Sequence, residues 1–477
     1  MPDILFLTFP EHGQANVHLA TAFEIYSRRI PGVNVHVASA PNLKPRFDQV
    51  KARVDAIDSG ARGSEATFHT VLQYSYAEAV KRGGHTEATY LHQPARRSSR
   101  HLDLIGFACP YPPQDYMACI DECQALMEKL APVVVIIDAL FSQAIDACKL
   151  AKQPYMIFSP LPGSATSMGN QPHGRALWYY PSMGTDIAFP IPWSDFFPNI
   201  INTFRLAYAV FTDPNIKATN AAREARGCTW MHPLFTTNNT KPDVPILSAG
   251  VPEVDFPFVA PPGLHMLGAV SVLCAPLAEC DPDLEAWLNR GETIMMVRGS
   301  HIQYDAPLAR RVLAGLLGGA GDRQILWKVH ERDALTEIWD EMLTTQRDRE
   351  RVRIVKWFEP EPAIIAEHEN VVCYVHHGGA NSYLEAARAG TPQVILPVWM
   401  DTYQDAMRLE YCGLGVYGSR SAAPDVDATE LAVAVSTVVS GPKSVVYRRR
   451  AREVATRCRQ GGGRVKAADL VLEQLEL

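Results

Sequence analysis

Residues 357–415 read WFEPEPAIIAEHENVVCYVHHGGANSYLEAARAGTPQVILPVWMDTYQDAMRLEYCGLG. Residues 371–375 form a short apolar run rich in β-branched side chains, the pattern of a buried strand. His376, His377, Gly378 and Gly379 follow at once. Asn381 and Ser382 stand where a helix starts, residues 383–389 can be that helix, and Gly390 with Pro392 ends it. Residues 394–396 read as a second buried strand, and Pro397 opens the loop after it. Strand, glycine turn, helix, strand and loop make one unit of a parallel α/β sheet. A glycine turn running into a helix N-terminus aims backbone N–H groups and the helix dipole at an anion. His377 can add a donor there, and a charge when protonated.

The same alternation extends outward. The chain has 477 residues, which sets two domains as the prior. Residues 4–9 read as a strand, 12–16 as a loop, 17–28 as a helix and 33–38 as a strand, a β-α-β order that implies parallel pairing. Residues 115–130 read as a helix. Residues 133–137 are a buried strand with Asp138 at its C-terminal end, where parallel sheets bind ligands. A carboxylate there either caps the next helix or orients a catalytic group. Residues 155–159 are a further strand. Residues 160–230 are rich in aromatics and prolines, including Trp178, Tyr179, Tyr180, Trp193, Phe196 and Phe197. Such loops suit an apolar ligand at a cleft, or pack on one another. The proline-rich residues 241–262 read as a linker. Residues 293–297 and 324–329 are strands of a second sheet. Residues 93–100 are a polar, basic patch, and the basic run RRRAREVATRCRQ lies in the last helical segment.

The net charge of −7 argues against nucleic acid as the main partner. The ten cysteines are scattered without CxxC or metal-ligand spacing, as expected of free thiols in a reducing compartment. No apolar run approaches a membrane span, and no basic n-region precedes the first strand, so a cytoplasmic protein is expected.

Residues 357–415 resemble the donor-binding signature of the family-1 glycosyltransferases, nucleotide-sugar-dependent enzymes of GT-B fold. The matching positions are Trp357, His377, Gly379, Asn381, Ser382, Glu385, Pro397 and Asp401, and the variant Asp401-Thr402-Tyr403 looks like the fungal branch. The resemblance implies two Rossmann-like domains facing across a cleft. Residues 1–245 would bind the acceptor and residues 246–440 the nucleotide sugar, with 441–477 a helical tail packing back on the first domain. It also implies roles. Trp357 or Phe358 would stack on uracil, Glu385 would hold the ribose hydroxyls, and Asp401 with Thr402 would face the sugar. The Gly299-Ser300 turn, His377, Asn381 and Ser382 would hold the diphosphate, and Arg298 replaces the aromatic usual before that turn. Each residue has a plainer reading: Trp357 as core, Glu385 as a carboxylate favoured near a helix start, His377 as an ordinary strand-end histidine.

The family places a base histidine in the first βα loop, and Gln14 occupies that slot here. An amide cannot take a proton at neutral pH, so His12, two residues earlier, becomes the candidate base with Asp138 as its partner. His18 reads as structural. The implied activity is an inverting, metal-independent transfer of a sugar, with UDP-glucose as the expected donor, to a hydroxyl of a small apolar acceptor, with no cofactor and no metal. Two alternatives stand beside it: a non-catalytic GT-B homologue, which Gln14 favours, and another GT-B enzyme such as a sugar epimerase.

Overall fold

The computed structural model describes residues 2–57, 64–84, 109–233, 244–299 and 302–475. Ser300 and the patch at 93–100 lie outside them. Two parallel sheets carry the fold. The first contains β1 (Asp3–Leu7), β2 (Asn34–Ser39), β3 (Ala66–Thr70), β4 (Val134–Asp138), β5 (Tyr155–Ser159), β6 (Ile246–Ser248) and β7 (Leu264–Met266). Its order is β3-β2-β1-β4-β5-β6-β7. The second contains β8 (Thr293–Val297), β9 (Gln324–Lys328), β10 (Val352–Val355), β11 (Val371–His376), β12 (Gln393–Ile395) and β13 (Gly415–Tyr417), in the order β10-β9-β8-β11-β12-β13.

Both faces of the central strands are covered, so β1, β4 and β8 are buried almost throughout rather than alternating. In β1, Ile4 and Phe6 join the core shared with α1 (His12–Ser27), while Leu5 and Leu7 pack on α4 (Pro113–Leu130) and α5 (Ser142–Ala151). In β8, Ile294 and Met296 meet Leu308, Val312 and Leu316 of α8 (Ala306–Ala320), while Met295 and Val297 meet Trp287 and Ile365. Between α5 and α8 lie α6 (Phe196–Thr212) and α7 (Pro214–Arg226), and α2 (Lys44–Ile57) and α3 (Tyr76–Arg82) follow α1. The second half holds α9 (Ala380–Ala389), α10 (Met400–Cys412), α11 (Ala428–Val439), α12 (Gly441–Gln460) and α13 (Gly463–Leu472).

Two features differ from the sequence reading. The first sheet does not stop at residue 245: β6 pairs with β5 and β7 with β6, so the chain leaves that sheet only after Met266. The segment read as a linker therefore contains a strand. Second, α1 begins at His12, because the Glu11 carbonyl already accepts from Gln14 N and Ala15 N. The expected loop 12–16 is the first turn of the helix. Of the two readings of Asp138, the helix cap falls away, because the N-cap residue of α5 is Phe141.

The tail helices return to the first domain. Arg28, the C-cap residue of α1, pairs with Asp469 of α13 at 2.6 Å, and Arg464 pairs with Glu24 at 3.0 Å. A Cβ at Gly268 would collide with the Cys458 carbonyl of α12, so only glycine fits that crossing. Arg408 of α10 adds a buried strap: its guanidinium bonds Asp255 at 2.8 Å and also pairs with Asp405, and Asp255 accepts from Ser164 N and Oγ. Among the described residues no helix is long and apolar enough to cross a membrane.

Candidate active site

The C-terminal edges of the two sheets meet where α1 and α9 begin. Gly378 takes φ +90°, a left-handed conformation that glycine adopts without strain, and Gly379 is the N-cap residue of α9. The His377 ring rests between two glycines. A Cβ on Gly379 would come within 2.5 Å of its Nε2, and one on Gly299 within 2.9 Å of its Cε1. Both glycines leave the room in which that imidazole lies. The preceding His376 is fully buried, and burial lowers its pKa to about 4. Its Nδ1 accepts from Gly378 N at 3.1 Å and its Nε2 donates to Gln393 Oε1 at 2.8 Å. One histidine thus pins the turn and the next lies at its surface.

Asn381 and Ser382 fall in the first turn of α9. The Asn381 amide reaches toward the His12 carbonyl at 3.5 Å, which sets the starts of α9 and α1 against each other. Glu385 lies one turn further on. Burial, with Glu361 nearby, pushes its carboxyl up to about 8, against the pull of Arg46 and Arg388. Trp357 is 46% exposed, with the Lys328 ammonium 4.2 Å from its ring centroid. Phe358 is 5% exposed and packs in the core with Trp287 and Tyr374. By exposure, Trp357 rather than Phe358 is the ring open to a ligand, and Phe358 is corrected to a core residue.

Thr402 is also corrected. It is fully buried, and its hydroxyl accepts from Val398 N and Trp399 N and donates to the Trp399 carbonyl. That hydroxyl closes the start of α10 and does not face a sugar. Asp401 beside it is half-buried, and desolvation pushes its carboxyl up to about 6. Met400 before it has φ +21°, an unusual conformation in the loop that carries Asp401.

On the opposite wall, Asp138 is fully buried at the end of β4. Its Oδ1 accepts from Leu140 N at 2.9 Å, and its Oδ2 accepts from Phe9 N at 3.3 Å and Thr8 Oγ1 at 3.4 Å. The carboxylate ties β1 to β4, and burial raises it to about 7. His12, half-buried, is the first residue of α1. His18 is fully buried between the rings of Phe6 and Phe158, and burial lowers it to about 3. Beside Asp138, Phe9 stacks on Phe141 at 4.7 Å and on Tyr111 at 6.1 Å. Of the aromatics at 160–230, Phe189 packs with Phe256 and Tyr411 between the domains, whereas Trp193 stands 92% exposed.

Sequence reasoning missed the ionic groups beneath the platform. Glu361 accepts from Arg46 at 2.9 Å through each carboxylate oxygen and also pairs with Arg53, so two arginines of α2 hold the loop that carries Trp357. These bonds hold Glu361 below the usual carboxylate range despite its burial. Lys328 ends β9 and is buried, which lowers it to about 8. Its position at a strand end was the one signal available.

Residues 337–460 match the family described as Erythromycin biosynthesis protein CIII-like, C-terminal domain. The glycosyltransferase sdnJ of Sordaria araneosa is 30% identical over 98% of this chain and 97% of its own length. The UDP-glycosyltransferase stmC of Aspergillus ustus is 29% identical over 38% of this chain and 37% of its own. Among solved structures, a UDP-glucosyltransferase from Polygonum tinctorium superposes over 100% of this chain and 99% of its own with a TM-score of 0.64 at 14% identity, a likeness of fold. Two parallel α/β domains, an anion-ready glycine turn at their junction and full-length similarity to sdnJ agree: this chain belongs to the family-1 UDP-glycosyltransferases, GT-B enzymes that transfer sugars.

Proposed function

We propose that the enzyme moves glucose from UDP-glucose to a hydroxyl of a small apolar acceptor, with inversion and without a metal. The observation that carries this reading is the Gly378–Ser382 turn set against the first turn of α1, with Asn381 facing His12. The turn's N–H groups, His377, Asn381, Ser382 and the Gly299 loop, with Ser300 as its expected member, would stabilise the leaving diphosphate electrostatically. Trp357 would carry the uracil, Glu385 the ribose and Asp401 the sugar. His12 would take the acceptor's proton with Asp138 behind it. The rings of Phe9, Tyr111 and Phe141 support an apolar acceptor. The free cysteines support a cytosolic setting. A mass-spectrometric screen of UDP-sugars against phenolic, terpenoid, polyketide and sterol acceptors tests the whole reading. UDP-glucose should give a product of one added hexose, with a rate unaffected by chelator. Failure of every pair would overturn it.

Two predictions separate the donor contacts. Glu385 is largely protonated at pH 7 before nucleotide binds, since its folded pKa is about 8. Ribose hydroxyls donating to it favour the ionised form. UDP binding at pH 7 should therefore release a proton, and affinity should rise as pH passes through 8 and then level off. Calorimetry in buffers of different ionisation enthalpy reads this directly. Glu385→Gln should abolish the proton release; an unchanged buffer dependence would exclude the ribose role. Asp401→Ala should lower turnover with UDP-glucose while UDP affinity stays near wild type. Equal loss of UDP binding would reduce Asp401 to a loop-structuring residue.

A further inference from the structure

Arg298 immediately follows β8 and is 1% exposed. Among the described residues its buried Nε and Nη1 have no hydrogen-bond partner of good geometry, and Nη2 has a long contact of 3.4 Å to the Pro424 carbonyl. The guanidinium carbon lies 5.8 Å from the Tyr304 ring centroid. The Tyr304 hydroxyl gives partial compensation, and it already accepts from Trp327 Nε1 at 3.2 Å. Asp425 is the acidic group whose field favours the cation, yet that carboxylate pairs with Arg311 at 2.6 Å. Among the described residues no carboxylate forms an ion pair with Arg298. Buried polar groups are nearly always bonded, and a buried charge without a partner is costly. Such a cation calls for an anion.

Its address says which. Val297 is level with His376 at the end of the β8–β11 pairing, where neighbouring strands are about 4.8 Å apart, and Arg298 and His377 are the residues that leave the two strands there. The next residue, Gly299, has φ +78° and is the surface on which the His377 ring rests. Arg298 therefore underlies the sheet edge where the donor site is proposed. We propose that Arg298 is the buried counter-charge of the nucleotide's diphosphate, acting through low-dielectric protein on the leaving group rather than by touching the sugar. This rests on the donor-site reading above and adds to it a fixed positive charge on this chain.

The test compares UDP with uridine, which shares the base and ribose but carries no phosphate. Arg298→Met and Arg298→Gln remove the charge at similar length. Each should lower UDP affinity by roughly tenfold or more and leave uridine affinity unchanged. Removing an unpaired buried cation should also leave the melting temperature of the nucleotide-free protein unchanged or raise it, while the stabilisation by UDP shrinks. Arg298→Lys should keep most of the preference for UDP. The proposal is overturned if UDP and uridine affinities change by the same factor, if neither changes, or if both neutral variants fail to fold, which would make Arg298 a structural cation. Wild-type protein that binds neither UDP nor uridine would instead defeat the donor-site reading itself.

Discussion

His377→Ala is expected to cut turnover with the UDP-sugar donor by about a hundredfold or more, the loss typical of one removed oxyanion-type donor. The fold should survive. The main-chain turn is pinned independently by His376, whose ring bonds Gly378 N and Gln393, and by Gly378 in its left-handed conformation. The His377 ring lies over Gly299 and Gly379, so its removal opens space at the proposed diphosphate position without unseating a core side chain. Steady-state rates and UDP calorimetry on the Ala variant decide the matter, with the melting temperature as control. Unchanged activity and unchanged donor affinity would remove the diphosphate role from this turn. His376→Ala gives the contrast, since a buried neutral imidazole with two bonds should cost stability first.

The strand, glycine turn and helix of the proposed donor site were legible in the sequence because their information is local. Strand, glycine turn and helix follow one another within residues 371–389, and each residue's neighbours in sequence are its neighbours in space. His18 reads as structural because the resemblance aligns it with an apolar, helix-packed position, and its ring is buried between Phe6 and Phe158. What the sequence hid depends on contacts between distant segments. Nothing near Glu361 announces Arg46 or Arg53, more than three hundred residues earlier. β6 and β7 have three residues each, too few to show a period; proline-rich flanks made β6 look like linker, and β7 stands where the second domain was expected to begin. Thr402 aligned with a sugar-facing position, but threonine is short and its hydroxyl reaches the Trp399 and Val398 backbone first. The choice between Trp357 and Phe358 needed only the direction of each side chain, which a loop sequence does not state. The expected start of α1 failed for a related reason. Glycine and asparagine at positions 13 and 16 read as loop, yet the Glu11 carbonyl begins the helix before them.

His12→Ala is expected to abolish most transfer while UDP binding survives. The first turn of α1 sets His12 against Asn381 of α9, so residue 12 lies at the junction of the two domains, and Gln14 in the same turn has no basic atom to offer. An imidazole is the group on this wall whose ordinary pKa suits proton removal near pH 7. Asp138 serves the wall differently from a freely swinging orienter. Its oxygens hold Leu140 N, Phe9 N and Thr8 Oγ1, and burial sets it near 7. Its folded pKa lies above the ordinary aspartate value, so it gains its negative charge only as pH rises through about 7. If that charge supports the imidazolium formed at His12, the wild-type rate should climb across the same interval, and Asp138→Asn should flatten the climb while UDP affinity stays constant. A more acidic phenol, which ionises without help, should restore part of the rate to His12→Ala and little to His377→Ala, because the second variant lacks leaving-group stabilisation instead. Transfer by His12→Ala within a few-fold of wild type, with no gain from the acidic phenol, would sink the assignment. The base would then be sought at Glu11, the adjacent buried carboxylate that accepts from Ala77 N at 3.1 Å and is pushed up by desolvation.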